Sequence, residues 1–136
     1  MEAERELLEG RGGVRSPFGR LLPLRDSGIR LRRGLKDGED FSMGSLRVKV
    51  YAVPGHTDGS AAFLINGVLY LGDSADSSTA GKLLPGKWLF CNDLAQNRDS
   101  LKRLAEIIPP EDIKYLVFAH SAPLAGLKPL LDFAEA

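Results

Sequence analysis

The stretch of the chain that decides the fold runs from Val53 to Asp73 and reads VPGHTDGSAAFLINGVLYLGD. Within it, the apolar runs Ala62–Ile65 and Val68–Leu71 are joined by the pair Asn66-Gly67. An Asn-Gly pair between two such runs is the strongest short-range sign of a two-residue β-hairpin, because both central residues of the turn need a positive φ. Each run is apolar at every position, so the sequence predicts a hairpin that is covered on both faces.

Further strand signals lie on both sides of this hairpin. Before it, Ile29–Leu35 and Leu46–Val53 are predicted strands, and the second alternates apolar and mostly polar residues with a period of two. After it, Tyr115–Ala119 is predicted as a short buried strand that ends next to His120. The pattern predicts strands that end in loops carrying polar residues.

Helix signals are found near the two ends of the chain. Glu2–Glu9 predicts one or two short helical turns. Asp99 is the predicted cap of a longer helix, because apolar residues follow it at helical spacing until Pro109-Pro110 ends the pattern. Pro123–Ala136 is predicted as a terminal helix, which Pro129 can kink or delay.

Length and composition are those of one globular domain. The chain has 136 residues, 43% of them hydrophobic and 26% charged, with zero net charge, so the total favours neither nucleic acid nor an anionic membrane as a partner. No apolar run is long enough for a membrane span, and the acidic start does not resemble a secretory signal. The single cysteine, Cys91, excludes an internal disulfide and a cysteine-rich zinc site, and it fits a reducing, cytoplasmic compartment.

The first 28 residues differ in character from the rest. Arginines are spread through them, and several prolines and glycines leave little room for regular structure. One interpretation is a basic arm for nucleic acid, and the other is an irregular lead-in. Aromatic residues for stacking on bases are nearly absent, so we favour the second and do not expect a nucleic-acid partner. We therefore divide the chain into an irregular, arginine-rich N-terminal segment, residues 1–28, and a folded domain, residues 29–136.

Three residues that can ligate a metal stand where predicted strands meet loops. His56 and His120 are the only histidines, and Asp73 ends the second strand of the hairpin. Strand ends at the rim of a sheet are places where ligand-binding and catalytic groups collect. Each residue alone is a weak signal, because strand-end histidines and aspartates are more often structural. Their combination is what points to a site.

This combination resembles the metallo-β-lactamase superfamily. The resemblance is carried by PGHTDGS at residues 54–60, the apolar hairpin, Leu71-Gly72-Asp73, and then a helix and a strand that ends at His120. It covers residues 29–136 and implies the C-terminal half of an αββα sandwich, that is, an α/β (α+β) fold with a mixed or antiparallel sheet and flanking helices. It also implies a metal-dependent hydrolase of a small ester, thioester, lactone or lactam substrate.

The resemblance also implies a role for each of the three residues. His56 matches the histidine that ligates the first metal, His120 matches the one that ligates the second, and Asp73 matches the catalytic carboxylate that bridges the two. Imidazole and carboxylate suit zinc and iron alike, so one or two zinc ions are expected and iron is the alternative. Thr57 and Ser60 are expected to hold the loop around His56 rather than to bind metal.

One family signature has no counterpart in this sequence. Family members carry HxHxDH in their N-terminal half, whereas this chain has no histidine before His56. Each metal would therefore keep two protein ligands, where a stable zinc site has three or four. We expect the chain alone to bind zinc weakly, and whether it is itself an enzyme stays open. The expected partner is a second copy of the chain or another chain that carries HxHxDH.

Two functions are compatible with the sequence. The first is one part of a metal-dependent hydrolase, and the second is an inactive scaffold, an interaction protein or a relic of such an enzyme. The loop 74–92 is the expected wall of the substrate site, with Lys82 and Lys87 as its cations. Trp88 and Phe90 either line an apolar pocket there or pack in the core.

Overall fold

The computed structural model of the chain describes residues 2–11, 14–21 and 25–136. Its strands are β1 (Asp40–Met43), β2 (Leu46–Ala52), β3 (Ala61–Ile65), β4 (Val68–Gly72), β5 (Ala75–Ser77), β6 (Leu83–Pro85), β7 (Tyr115–Phe118) and β8 (Leu124–Ala125). A mixed sheet has the order β1-β2-β3-β4-β7-β8, and β5 pairs separately with β6. Neighbours in the mixed sheet are antiparallel except β4 and β7, which are parallel.

Helices α2 (Leu94–Ile107) and α3 (Lys128–Glu135) pack on one face of this sheet. The short helix α1 (Arg5–Leu8) lies in the N-terminal segment, and single 3-10 turns occur at Glu2–Glu4, Gly19–Leu21 and Pro110–Asp112. The core between the sheet, α2 and α3 is made mainly of fully buried leucines: Leu69, Leu71, Leu101, Leu104, Leu116 and Leu130. This mixed sheet with flanking helices confirms the expected fold class. None of the described helices has the length and apolar character needed to cross a membrane.

The predicted hairpin is confirmed by its turn geometry. Asn66 has φ 51° and Gly67 has φ 84°, the positive values that a two-residue turn of this kind requires. The flanking strands pair with Ile65 opposite Val68 and Phe63 opposite Tyr70. The local sequence was sufficient here, because the turn residues and both strands lie within a few positions of each other.

Helix α2 begins earlier than predicted. Asp93, and not Asp99, is its cap, since the Asp93 carboxylate accepts a hydrogen bond of 2.9 Å from the backbone N–H of Gln96. Asp99 lies exposed within the helix. Both aspartates can cap, and no helix breaker lies between them, so the helix extends back to the earlier one. Its end before Pro109 agrees with the prediction.

The predicted strand at Ile29–Leu35 is wrong. These residues form no strand, and the edge of the sheet is instead β1, which pairs with β2 through the tight turn at Gly44-Ser45. Gly44 has φ 63°, which glycine adopts without strain. β1 is joined to β2 by only two residues, and it pairs with β2 in place of the earlier segment.

The C-terminal helix is shorter than predicted. It begins at Lys128, while Leu124 and Ala125 form β8 beside β7, with Ala125 opposite Tyr115. Pro129 lies in the first turn of α3, where its missing N–H would have had no helical acceptor. Pro129 therefore does not kink the helix, and the start at Lys128 agrees with the expected delay.

The face of the sheet opposite the helices is also apolar. Val50, Phe63, Tyr70 and Val117 stand side by side across β2, β3, β4 and β7. Val50 is fully buried, whereas Tyr70 keeps 43% of its surface exposed. This face is thus covered at β2 and open towards β7.

Candidate metal centre

The candidate site lies at the carboxyl ends of the parallel strands β4 and β7. Gly72 at the end of β4 pairs with Phe118 at the end of β7, and the N–H of Ala119 donates to the carbonyl of Gly72 at 3.1 Å. The residues that follow these ends are Asp73 and His120. Because parallel strands end at the same edge, the fold brings these two residues together although they are far apart in the sequence.

His120 and Asp73 are in direct contact. The Nε2 atom of His120 lies 3.0 Å from Oδ1 of Asp73, and the two side chains are 70% and 45% exposed. The pair is open to solvent on one side. The structure thus brings together two of the residues that the sequence analysis singled out.

His56 reaches the same cavity from the loop between β2 and β3, and it is half-buried. Its Nδ1 atom lies 3.7 Å from the sulfur of Cys91. Burial lowers the pKa of His56, and the nearby carboxylates of Asp73 and Glu4 only partly offset this effect. Burial, with the Asp73 charge, raises the pKa of the Cys91 thiol. The site thus favours a neutral imidazole at His56, which is the form that binds metal.

A cavity of about 480 Å³ connects the three residues. His56, Asp73 and His120 all line it, together with residues of the N-terminal segment and of the loop 74–92. Its size suits a small-molecule ligand. Of the residues expected to form its wall, Lys87 and Phe90 do so, whereas Lys82 does not line it and Trp88 is 65% exposed.

The loop around His56 is held by its own side chains and by the start of α2. The hydroxyl groups of Thr57 and Ser60 lie 2.8 Å apart, and Ser60 Oγ accepts a bond of 3.0 Å from the N–H of Thr57. Thr57 and Ser60 thus hold the loop, as expected. Gly55 has φ 128° and lies so close to α2 that a Cβ atom there would be 2.2 Å from the backbone nitrogen of Asn97. Only glycine fits this approach.

Asn97 is a site-positioning residue that the sequence analysis missed. It is fully buried in α2, its Nδ2 donates to the carbonyl of Ser74 at 2.9 Å, and its Oδ1 accepts from the N–H of Gly86 at 3.0 Å. It thereby ties the residue after Asp73 to the residue before Lys87. The available signal was a polar residue on the side of the helix that Leu101 and Leu104 place in the core.

The N-terminal segment packs on the loop that carries His56. The Glu4 carboxylate accepts hydrogen bonds from Thr57 Oγ1 at 2.6 Å and from the N–H of Gly59 at 2.7 Å. Arg15 forms an ion pair with Asp58 in the same loop. The described part of this segment is therefore fixed to the site by specific contacts, which the sequence did not predict.

The donors fit a metal in type but not in number. Imidazole and carboxylate suit zinc and iron. Among the described residues, however, no group of three or more histidine, cysteine, aspartate or glutamate side chains is arranged to hold a metal ion. His120 and Asp73 contact each other, while His56 lies against Cys91. These residues by themselves do not make a complete metal site.

The chain is similar to known metallohydrolase-fold proteins. A hydroxyacylglutathione hydrolase from Aeromonas salmonicida (strain A449) is 36% identical over 94 residues, which are 69% of this chain and 34% of the enzyme. The chain therefore spans about a third of the length of the curated relatives it matches. No family model matches the chain.

Two solved structures extend this likeness to the fold. An archaeal metallo-β-lactamase superfamily protein from Sulfolobus tokodaii has a TM-score of 0.56 and 25% identity, over 79% of this chain and 38% of that protein. A metallo-β-lactamase family protein from Thermus thermophilus has a TM-score of 0.54 and 29% identity, over 74% of this chain and 33% of that protein. The fold is thus that of the metallo-β-lactamase structures. The chain belongs to the metallo-β-lactamase superfamily and corresponds to the C-terminal part of its relatives.

Proposed function

We propose that this chain supplies one part of a metal-dependent hydrolase site for a small thioester, ester, lactone or lactam, and that another polypeptide completes the site. The observation that carries the proposal is that His56, Asp73 and His120 line one cavity at the carboxyl ends of β4 and β7. Thioesters come first among these substrates, because the relatives are named as hydrolases of hydroxyacylglutathione.

The proposed ligands are His56 for one metal, His120 for the other, and Asp73 between them. Zinc or iron at this position would supply Lewis acidity to a bound substrate and to water. Partial burial lowers the pKa of His56, which favours the neutral imidazole that a metal ligand requires. The cavity wall formed by Ala75 and Phe90 provides apolar surface for an acyl group.

The completing polypeptide has to add donors that the chain lacks. Two donors for each metal fall short of the three or four of a stable zinc site. A second copy would bring only the same three residues, so a different chain with the HxHxDH signature is a better candidate than a homo-oligomer. We also propose a cytoplasmic location, since the one cysteine, Cys91, is free and buried.

The second candidate is a scaffold or interaction protein without catalysis. The observation that favours it is the contact of 3.0 Å between His120 and Asp73, in which the two side chains satisfy each other. In that case the three residues are relics, and the cavity binds ligand without hydrolysing it.

Zinc binding by the purified chain, measured with its mass under native conditions, tests the proposal. We expect weak binding by the monomer, and tighter binding when a chain carrying HxHxDH is added. His56→Ala and His120→Ala should each abolish the gain, whereas Asp99→Ala, an exposed carboxylate of α2, should leave it unchanged. A gain that survives both histidine substitutions, or no gain with any HxHxDH chain, would overturn the proposal and favour the scaffold.

A further inference from the structure

The cavity has two walls from distant parts of the sequence. Val14, Ser16, Gly19 and Arg25 of the N-terminal segment form one wall, and the other belongs to the folded domain. These four residues lie in the N-terminal segment, for which the sequence predicted no functional site. The residues of this wall therefore help to decide which small molecule the cavity binds, in addition to His56, Asp73 and His120.

The N-terminal wall is anchored to the opposite one. The N–H of Phe18 donates to the carbonyl of Leu89 at 3.0 Å, and the N–H of Arg15 donates to Oδ1 of Asn92 at 3.0 Å. The rings of Phe18 and Phe90 meet edge to face with their centroids 5.3 Å apart. The two walls thus form one structural unit and hold the cavity open between them.

The charges on the cavity walls are unevenly paired. Asp73 contacts His120, and Asp76 lies 3.5 Å from Nζ of Lys87 while also accepting from the N–H of Ser77. The contact of Lys87 is long, and its side chain is 64% exposed, so its ammonium group is free to bind a ligand as well.

Arg25 lines the same cavity but is not part of such an ion pair among the described residues. No described residue forms a hydrogen bond or an ion pair with its guanidinium group. A guanidinium on a cavity wall is a ready donor for an anion, since its planar fork matches a carboxylate.

Apolar side chains line the same cavity as the cations and the candidate metal ligands. Val14 and Phe90 line it from the two walls, and Ala75, which is 3% exposed, lies close to Asp73 in the chain. A ligand in this cavity therefore has cations, apolar side chains and the donors His56, Asp73 and His120 within one lining.

We propose that this cavity binds a small acyl compound with a single carboxylate group, and that Arg25 and Lys87 are its anion-binding residues. The carboxylate class follows from charge: Asp73 and Asp76 line the same cavity and repel a doubly charged phosphate more strongly than a singly charged carboxylate. The proposal rests on the proposed function, because it names the substrate class for that same site.

Ligand titration followed by NMR of the ¹⁵N-labelled full chain, without metal, tests it. The probes are hexanoate, its neutral analogue hexanamide, and inorganic phosphate. We expect hexanoate to shift the amide signals of Gly86 and Phe90, and to bind more tightly than either other probe. Arg25→Gln should weaken hexanoate binding about tenfold and remove the preference over hexanamide, because one charge-assisted hydrogen-bonding partner is lost.

Arg20→Gln is the matched control. Arg20 is an exposed arginine of the same segment that does not line the cavity, so its substitution should leave hexanoate binding unchanged. Equal binding of hexanoate and hexanamide, tighter binding of phosphate, or equal effects of the two substitutions would each overturn the carboxylate site. Zinc uptake that depends on His56 and His120 is measured without these probes, so failure here and failure of the proposed function give different results.

Discussion

Replacing Asn97 with alanine should destabilise the protein more than any comparable change on the surface of α2. The side chain of Asn97 makes two hydrogen bonds inside the protein, one to the carbonyl of Ser74 and one from the N–H of Gly86. All three residues are buried, so water does not replace the lost partner. Asn97→Ala therefore leaves one buried acceptor and one buried donor unsatisfied.

The expected size of the effect follows from these two groups. A buried polar group without a partner costs about 1–3 kcal/mol, so two of them give a loss of about 2–6 kcal/mol. The free energy of unfolding of an ordinary domain is about 5–15 kcal/mol, and a loss of this size is a large part of it. The same substitution should speed hydrogen exchange at the amide of Gly86, because that N–H loses its acceptor in the folded state.

Urea unfolding followed by circular dichroism gives the change in the free energy of unfolding. The comparison requires that this free energy falls with urea concentration at the same slope in both proteins. Gln96→Ala is the control, since Gln96 is exposed on the same turn of the helix and its replacement should change stability by less than about 0.5 kcal/mol. A loss below about 1 kcal/mol for Asn97→Ala would refute the reasoning, because it would show that neither hydrogen bond matters to the folded state.

Three further predictions concern residues outside the regular helices and strands and near their ends. Gly55→Ala should lower the free energy of unfolding by at least about 3 kcal/mol, because strain at positive φ adds to a clash with the backbone. Gly81→Ala has open space around it, so in the same assay it should lower this free energy by about 1 kcal/mol. Burial raises the pKa of Asp37, but the hydrogen bonds of its carboxylate lower it by more, so the pKa lies below the ordinary 3.8. The ionised carboxylate of Asp37 therefore stabilises the protein above that pH, and this contribution is lost as the pH falls through the folded pKa. The Asp37→Asn variant should thus lose less stability on acidification than the native chain. Glu4→Gln should speed hydrogen exchange at the amide of Gly59 and lower stability by up to about 2 kcal/mol.

Matched variants control for two of these effects. Asp40→Asn breaks an exposed ion pair with Arg47 at the sheet edge and should keep most of the native loss of stability on acidification. Glu6→Ala removes an exposed glutamate close to Glu4 and should leave exchange at Gly59 unchanged. If Glu6→Ala and Glu4→Gln had the same effect, net charge rather than the specific hydrogen bonds would be responsible.

The sequence by itself determined the elements whose causes are local. The hairpin at Asn66-Gly67 depends on two turn residues between apolar runs, and the turn has the required positive φ values. The end of α2 before Pro109 depends on proline chemistry. The resemblance to a family likewise rested on short motifs, and these motifs correctly identified the superfamily.

Elements that compete with one another were decided by the tertiary structure. Ile29–Leu35 has the composition of a strand, but β1 takes the position beside β2 instead. Asp99 has the chemistry of a cap, but Asp93 caps the helix instead. A local pattern states what a segment can form, and the choice depends on which neighbours are available.

The candidate site divides in the same way. The sequence singled out His56, Asp73 and His120 as residue types, but only the parallel pairing of β4 with β7 places two of them 3.0 Å apart. Asn97 and Arg25 carried no motif, because their importance comes from groups that are distant in the sequence and close in the fold. Motifs record the chemistry that a residue can perform, whereas burial and contact distance decide which residues perform it together.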